Sequence, residues 1–203
     1  MPIYPGDPSP SFDAYATLAK DGVNLTRLVM GSHTGTHLDA PKHFIQGGIG
    51  IDEILPNRLV GEAYVADLSE KPIGSGITAE DLRRFQGHFR KDDFFAVFTG
   101  CSEHWGEDAI RQNYTYITVE AAEYLVSKRV RAVGIDFLSV EKFRAPDPVA
   151  HRTLLASGIF IIESLSMALR QFVGQRILMI CMPIRLKHGD GAPSRVVAVP
   201  ISK

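Results

Sequence analysis

Apolar residues along the chain fall into short blocks rather than long periodic runs. Residues 94–99 (FFAVFT), 131–135 (RAVGI), 159–162 and 176–184 are four to nine residues long and rich in β-branched or aromatic side chains, as buried strands are. Residues 26–32 (TRLVMGS), 60–68 (VGEAYVADL) and 195–201 also read as strands, the first running into a histidine cluster. Helical spacing appears between them. Thr78 with Asp81 three residues on resembles a capping box and starts a helix through Phe85. Thr118 caps a second helix over residues 119–128, with Ala121, Ala122, Leu125 and Val126 on one face. Asp147 and Pro148 read as N-cap and first residue of a third helix ending at Gly158. Residues 1–10, 45–59 and 187–194 carry the Gly, Pro and Asp of irregular or turn structure. Strands alternate with helices mid-chain and dominate both ends. The pattern predicts one mixed α/β domain over residues 1–203, its parallel part built from strand–helix–strand units.

Composition narrows the classes of function. Over 203 residues, Lys and Arg number 22 and Asp and Glu 23, a net charge of −1 that offers no field to a nucleic-acid backbone or an anionic membrane. The apolar content of 45% is that of a folded globular protein. No apolar stretch is long enough to cross a bilayer. The first twenty residues hold four Pro and two Asp with no apolar core, unlike a signal peptide. Cys101 and Cys181 form neither a disulfide framework nor a CxxC site. A cytoplasmic, soluble protein with a small-molecule partner is expected.

Histidine is the uneven residue. Of seven in the chain, His33, His37 and His43 lie within residues 33–43, HTGTHLDAPKH. These three and Asp39 are all odd-numbered, so an extended chain would point them to one side. Fully extended, His33 and His37 would stand about 13 Å apart along the backbone, from where two imidazoles could barely reach one ion at bonds of about 2 Å. The chain must bend between them, and Gly35 permits it. Pro41 rules out a continuous helix. Histidine and aspartate donors without cysteine suit Zn²⁺, Mn²⁺ or Fe²⁺ in a site with open positions.

A second candidate pair lies downstream. His151 falls in the first turn of the third helix, and Glu163 follows the apolar run IFII. A carboxylate at the carboxyl end of a buried strand lies where α/β sheets place their ligands. Glu163 reads equally as a strand-end group turned to solvent, and the residues alone leave both readings open.

The run HTGTHLDAPKHF resembles the signature His-x-Gly-Thr-His-x-Asp-x-Pro-x-His of the cyclase / kynurenine formamidase family of metal-dependent hydrolases. YPGDP (4–8), FTGCSEHWG (98–106), VGIDFLSVE (133–141), HRTLLASGIFIIESL (151–165) and GDGAPSRVVAVPI (189–201) resemble further family segments, so the likeness spans essentially the whole chain. It implies a swivelling β/β/α-type fold with mixed parallel and antiparallel sheets and flanking helices. It also implies a homodimer or higher homo-oligomer and a site of one or two metal ions, zinc or manganese. By matched position, His33, His37 and Asp39 would be ligands with Asp39 bridging, His151 and Glu163 would hold the second ion, and His43 would be the catalytic histidine. Tyr4, His104 and Trp105 are expected to contact substrate.

The activity so implied is arylformamidase, hydrolysing N-formyl-L-kynurenine in tryptophan breakdown. Alternatives are an isatin-type cyclic amide hydrolase on the same metals, or a silent metal-binding protein. Asp136 and Ser139 read as turn or supporting groups, and no G-x-S-x-G elbow or paired cysteine offers another nucleophile.

Overall fold

The structure, a computed structural model, describes residues 3–201. In chain order the elements are β1 (Ser11–Ala16), α1 (Leu18–Asp21), β2 (Leu25–Val29), β3 (His37–Asp39), β4 (Val60–Asp67), β5 (Gly76–Ile77), α2 (Ala79–Arg83), β6 (Phe94–Phe98), α3 (Asp108–Arg111), β7 (Tyr116–Ile117), α4 (Val119–Lys128), β8 (Ala132–Ile135), α5 (Val149–Ala156), β9 (Phe160–Glu163), β10 (Arg176–Pro183) and β11 (Gly191–Pro200). Seven strands close a barrel in the order β10-β11-β3-β9-β8-β6-β4. The run β4-β6-β8-β9 is parallel, and every other pairing in the barrel is antiparallel.

The apolar blocks explain this arrangement. In β6, Phe94, Ala96 and Phe98 point into the barrel, where they meet Val65, Ile162, Ile177 and Met179. Phe95 and Val97 point outward under the helices, against Leu82, Leu125 and Leu154. A parallel strand covered on both faces has no polar side to alternate with, and its sequence is continuously apolar for that reason. The antiparallel β10 is covered on one face only: Ile177, Met179 and Cys181 are buried, while the residues between them are half-buried.

Most predicted elements stand where expected, α4 with the same limits, and Thr78 and Asp81 form the reciprocal capping box. Three expectations need correction. The strand expected at residues 26–32 is β2, ends at Val29, and pairs only with β1 in a separate hairpin instead of leading into the histidines. β1 itself carries no alternation against a core, since most of it is exposed. Helix α5 is capped at Pro148 rather than Asp147, whose carboxylate pairs instead with Arg152. Residues 191–194, expected as turn, begin β11, because Gly191 to Pro193 pair with β3.

Asp136, at the end of β8, ties the neighbouring strand end to its own. Its oxygens accept hydrogen bonds from the Thr99 amide (2.8 Å) and hydroxyl (2.6 Å) and the Ser102 hydroxyl (2.9 Å), all buried, and from the half-buried Gly100 amide (3.1 Å). Burial raises its pKa, although these donors work against that rise. Asp136→Asn replaces one acceptor with an NH₂ facing other donors. It should cost about 2–3 kcal/mol, the scale of an unsatisfied buried polar group, read as a lowered denaturation midpoint with unchanged slope.

Candidate metal centre

Gly35 has φ +69°, the left-handed bend the spacing required. It folds His33 back until its ring stands 4.9 Å from that of His37, edge to face. β3 then presents His37 and Asp39 on the outer face of the barrel and Leu38 to its interior. Register places His37 opposite Glu163 of β9 and Asp39 opposite Gly191 of β11. Gly191 has to be glycine here. A Cβ on it would lie 2.7 Å from His33 Cε1 and 2.8 Å from the Leu38 carbonyl oxygen. After Glu163 the chain turns sharply at Ser164, φ +58°, a conformation secured where Thr36 Oγ1 donates to the Ser164 carbonyl at 2.6 Å.

Among the described residues three donor trios result: His33–His37–Asp39 and Asp39–His151–Glu163, which share Asp39, and His33–His43–Asp190. Asp39 Oδ1 faces His33 Nδ1 at 2.9 Å and His37 Nε2 at 3.3 Å; Oδ2 faces His151 Nε2 at 3.7 Å. Glu163 reaches both sides, Oε1 to His151 Nε2 at 3.2 Å and Oε2 to His37 Nε2 at 3.4 Å. Ligands each about 2.1 Å from one ion at a tetrahedral angle lie about 3.4 Å apart, the spacing seen between these donors. His37 Nε2 and Asp39 Oδ2 are also buried without a hydrogen-bond partner. The residues therefore fit a divalent cation.

The outward nitrogens are fixed as such ligands require. His37 Nδ1 donates to the Gly35 carbonyl at 2.7 Å, and His151 Nδ1 lies 3.3 Å from Glu141 Oε2. Each bond leaves Nε2 aimed at the cluster. Electrostatics follows from burial. Burial pushes the His37 and His151 imidazoles down, but bonds to Asp39 and Glu163, and for His151 also to Glu141, outweigh it and raise both to about 10. Burial and the charge of Asp39 push Glu163 up, yet the two imidazoles bring it to about 2; Asp39 is held well below the usual carboxylate range by His33 and His37. The two carboxylates thus favour positive charge on the imidazoles around them.

A cleft of about 320 Å³ opens over the cluster. His43 lines it, its ring stacked on His33 with centroids 3.9 Å apart, and stands outside both trios that share Asp39. Tyr4 lines it as expected; its hydroxyl accepts from the Arg144 amide at 3.2 Å. His104 and Trp105 do not line it. His104 turns to Glu107 at 2.8 Å, and Trp105 packs on Phe137 at 5.2 Å, because the short helical turn after β6 carries both away from the mouth. Two groups escaped the sequence reading. Glu141 ends the segment VGIDFLSVE, and Asp190 sits between two glycines in what read as a bare turn. Neither has periodicity or spacing to mark it.

A buried histidine–carboxylate cluster under an open cleft on this barrel defines the class, that of the metal-dependent hydrolases. The Cyclase family model matches residues 1–142, and the chain belongs to that family. It is similar to a kynurenine formamidase of Geobacillus thermodenitrificans, 32% identical across 96% of this chain and 90% of that one. Among solved structures it is similar to a "predicted metal-dependent hydrolase" of Bacillus stearothermophilus, at 33% identity and TM-score 0.80 over 98% and 91% of the two chains. It shares its fold with an isatin hydrolase bound to thioisatinate, at 24% identity and TM-score 0.87 over 96% and 83%.

The direction of each shift gives a pH dependence for metal-free protein. Glu163 falls from an ordinary value near 4.3 to about 2, so its contribution is present above about pH 4.5 and lost as pH falls through 2. His37 and His151 rise from about 6.5 to about 10, so theirs is complete below about pH 6.5 and lost as pH climbs through 10. Melting temperature after chelation should therefore peak between about pH 4.5 and 6.5. Zinc added at pH 7 should release protons, seen as a calorimetric heat that scales with buffer ionisation enthalpy. A flat melting profile from pH 5 to 9, with no proton release, would show that the histidines carry no extra protons.

Proposed function

We propose that the chain hydrolyses the formyl amide of an arylamine, N-formyl-L-kynurenine foremost, using one or two zinc or manganese ions held by His33, His37, Asp39, His151 and Glu163. The observation that carries this reading is the pair of donor trios joined at Asp39, with His43, an imidazole in neither of those two, beside them at the cleft. A divalent ion bound there would acidify a water and polarise the formyl oxygen. Burial holds His43 below the ordinary imidazole value, which favours the neutral ring that can accept a proton. In the reaction a water oxygen bonds to the formyl carbon as the carbon–nitrogen bond breaks. His43 takes a proton from that water and returns it to the departing arylamine nitrogen, and formate leaves.

The cleft mouth supports an amino-acid substrate. Lys142, Arg144 and Asp7 are among the residues that line it. Those charges complement the carboxylate and ammonium of kynurenine, whereas isatin carries neither. The relatives named as kynurenine formamidases agree. The rival reading, an isatin-type ring opener, draws on a likeness of fold.

One panel of assays tests the reading. N-Formyl-L-kynurenine should be turned over at least tenfold more efficiently than 2-formamidoacetophenone, which lacks the amino-acid head, or isatin. Chelation should abolish turnover, and His43→Ala should lose about 10²–10⁴-fold while keeping its metal. Preference for isatin would reverse the assignment; binding of metal with no turnover of any amide or ester would leave a silent metal-binding protein.

A homo-oligomer, most simply a dimer, fits the same reading. Among the described residues the β1–β2 hairpin pairs with no other strand, and it exposes Phe12, Tyr15, Leu25 and Leu28. A lone two-stranded hairpin is marginal in water, and a second copy of the chain is the partner that would cover it. Light scattering should give at least twice the monomer mass, falling toward 22 kDa when Phe12 and Leu28 are both changed to Asp.

A further inference from the structure

Asp190 is a carboxylate beside the cluster that belongs to neither trio sharing Asp39. It stands at the start of the β11 segment, and its main chain is fixed because the Ala40 amide donates to its carbonyl at 2.9 Å. Its side chain, 42% exposed, reaches two histidines at once: Oδ2 lies 3.3 Å from His33 Nε2 and 3.6 Å from His43 Nδ1. These two rings are stacked, with an interplanar angle of 27°, so a single oxygen can bridge their edges. His33 already turns its other nitrogen, Nδ1, to Asp39.

We infer that Asp190 is a positioning residue for His43: it accepts from Nδ1–H, fixes the tautomer, and leaves Nε2 as the nitrogen that exchanges protons with substrate. This rests on the formamidase reading for its consequence but not for its geometry. The physical need is plain. An imidazole that must take a proton at one nitrogen needs the other protonated and held, and a carboxylate or carbonyl acceptor does this in histidine catalysts generally. No other carboxylate lies within salt-bridge distance of His43 among the described residues. A separation of 3.6 Å is long for a hydrogen bond, but catalytic contacts commonly tighten when substrate is bound. The competing role is that Asp190, with His33 and His43, is itself a third metal-ligand set, since the three can bring donor atoms within 4.8 Å.

The test compares wild type, Asp190→Asn, Asp190→Glu and His43→Ala, with the Asp190→Asn/His43→Ala double variant, each analysed for metal content. With N-formyl-L-kynurenine, Asp190→Asn should lower kcat about 10–100-fold, shift KM less than threefold and keep wild-type metal content; Asp190→Glu should recover part of the loss. In the His43→Ala background, Asp190→Asn should cost less than twofold more, because the group it acts through is gone. A readout without turnover accompanies these. The imidazole ¹⁵N spectrum of the zinc-loaded protein should show His43 protonated at Nδ1 in wild type and a changed tautomer in Asp190→Asn, with the His37 and His151 signals retained. Loss of metal in step with rate, multiplicative losses in the double variant, or an unchanged His43 tautomer would each overturn the role. If wild type turned over no formamide while the tautomer shift was seen, the formamidase reading would fail and the positioning role would stand.

Discussion

A carboxylate with no exposed surface, Asp39, is the group on which the rest of the site depends. An isolated buried carboxylate costs several kcal/mol and would ordinarily neutralise itself. Asp39 is instead held ionised by His33 and His37, while a second buried carboxylate, Glu163, stands close enough to raise the demand for positive charge. Three imidazoles answer it. The same electrostatic demand that raises the pKa values of His33, His37 and His151 favours a divalent cation among them, which would replace protons there.

The barrel makes this concentration of charge possible. The donors come from two distant stretches, residues 33–39 and 151–163, and β3 brings them together by lying between β9 and β11. Strand register does the aiming. A slip of one residue in β3 would turn Leu38 to the cluster and both donors into the barrel core. Gly35, Ser164 and Gly191 sit at the three points where the chain must bend or pass close to a ring, and each has the backbone conformation or the missing Cβ that its place requires.

Chemistry and selection are built from different material. Four of the five groups proposed to hold metal lie on β3, α5 and β9, with His33 in the turn before β3, and the far nitrogens of His37 and His151 are fixed by Gly35 and Glu141. The charges at the mouth, Asp7, Lys142 and Arg144, are exposed and stand on irregular segments. A scaffold divided in this way can keep one hydrolytic centre while its loops change the head group they accept.

The sequence by itself determined what was local. Short, doubly apolar blocks marked the barrel strands, and Thr78 and Thr118 marked two helix starts, since capping and burial leave their trace in neighbouring residues. His33, His37 and Asp39, with the bend at Gly35, were legible because their spacing alone forces the chain to turn. Tertiary structure decided what depends on contact between distant segments. Glu163 could have faced water until β9 was paired with β3, and Glu141 and Asp190 gained partners only through folding. His104 and Trp105 sat in a plausible place along the chain and were carried off by a local turn. The hairpin β1–β2 had no core to alternate against, so periodicity could not reveal it. A side chain's type and its near neighbours are written in one dimension; the direction in which it points, and what waits there, is fixed only when the barrel closes.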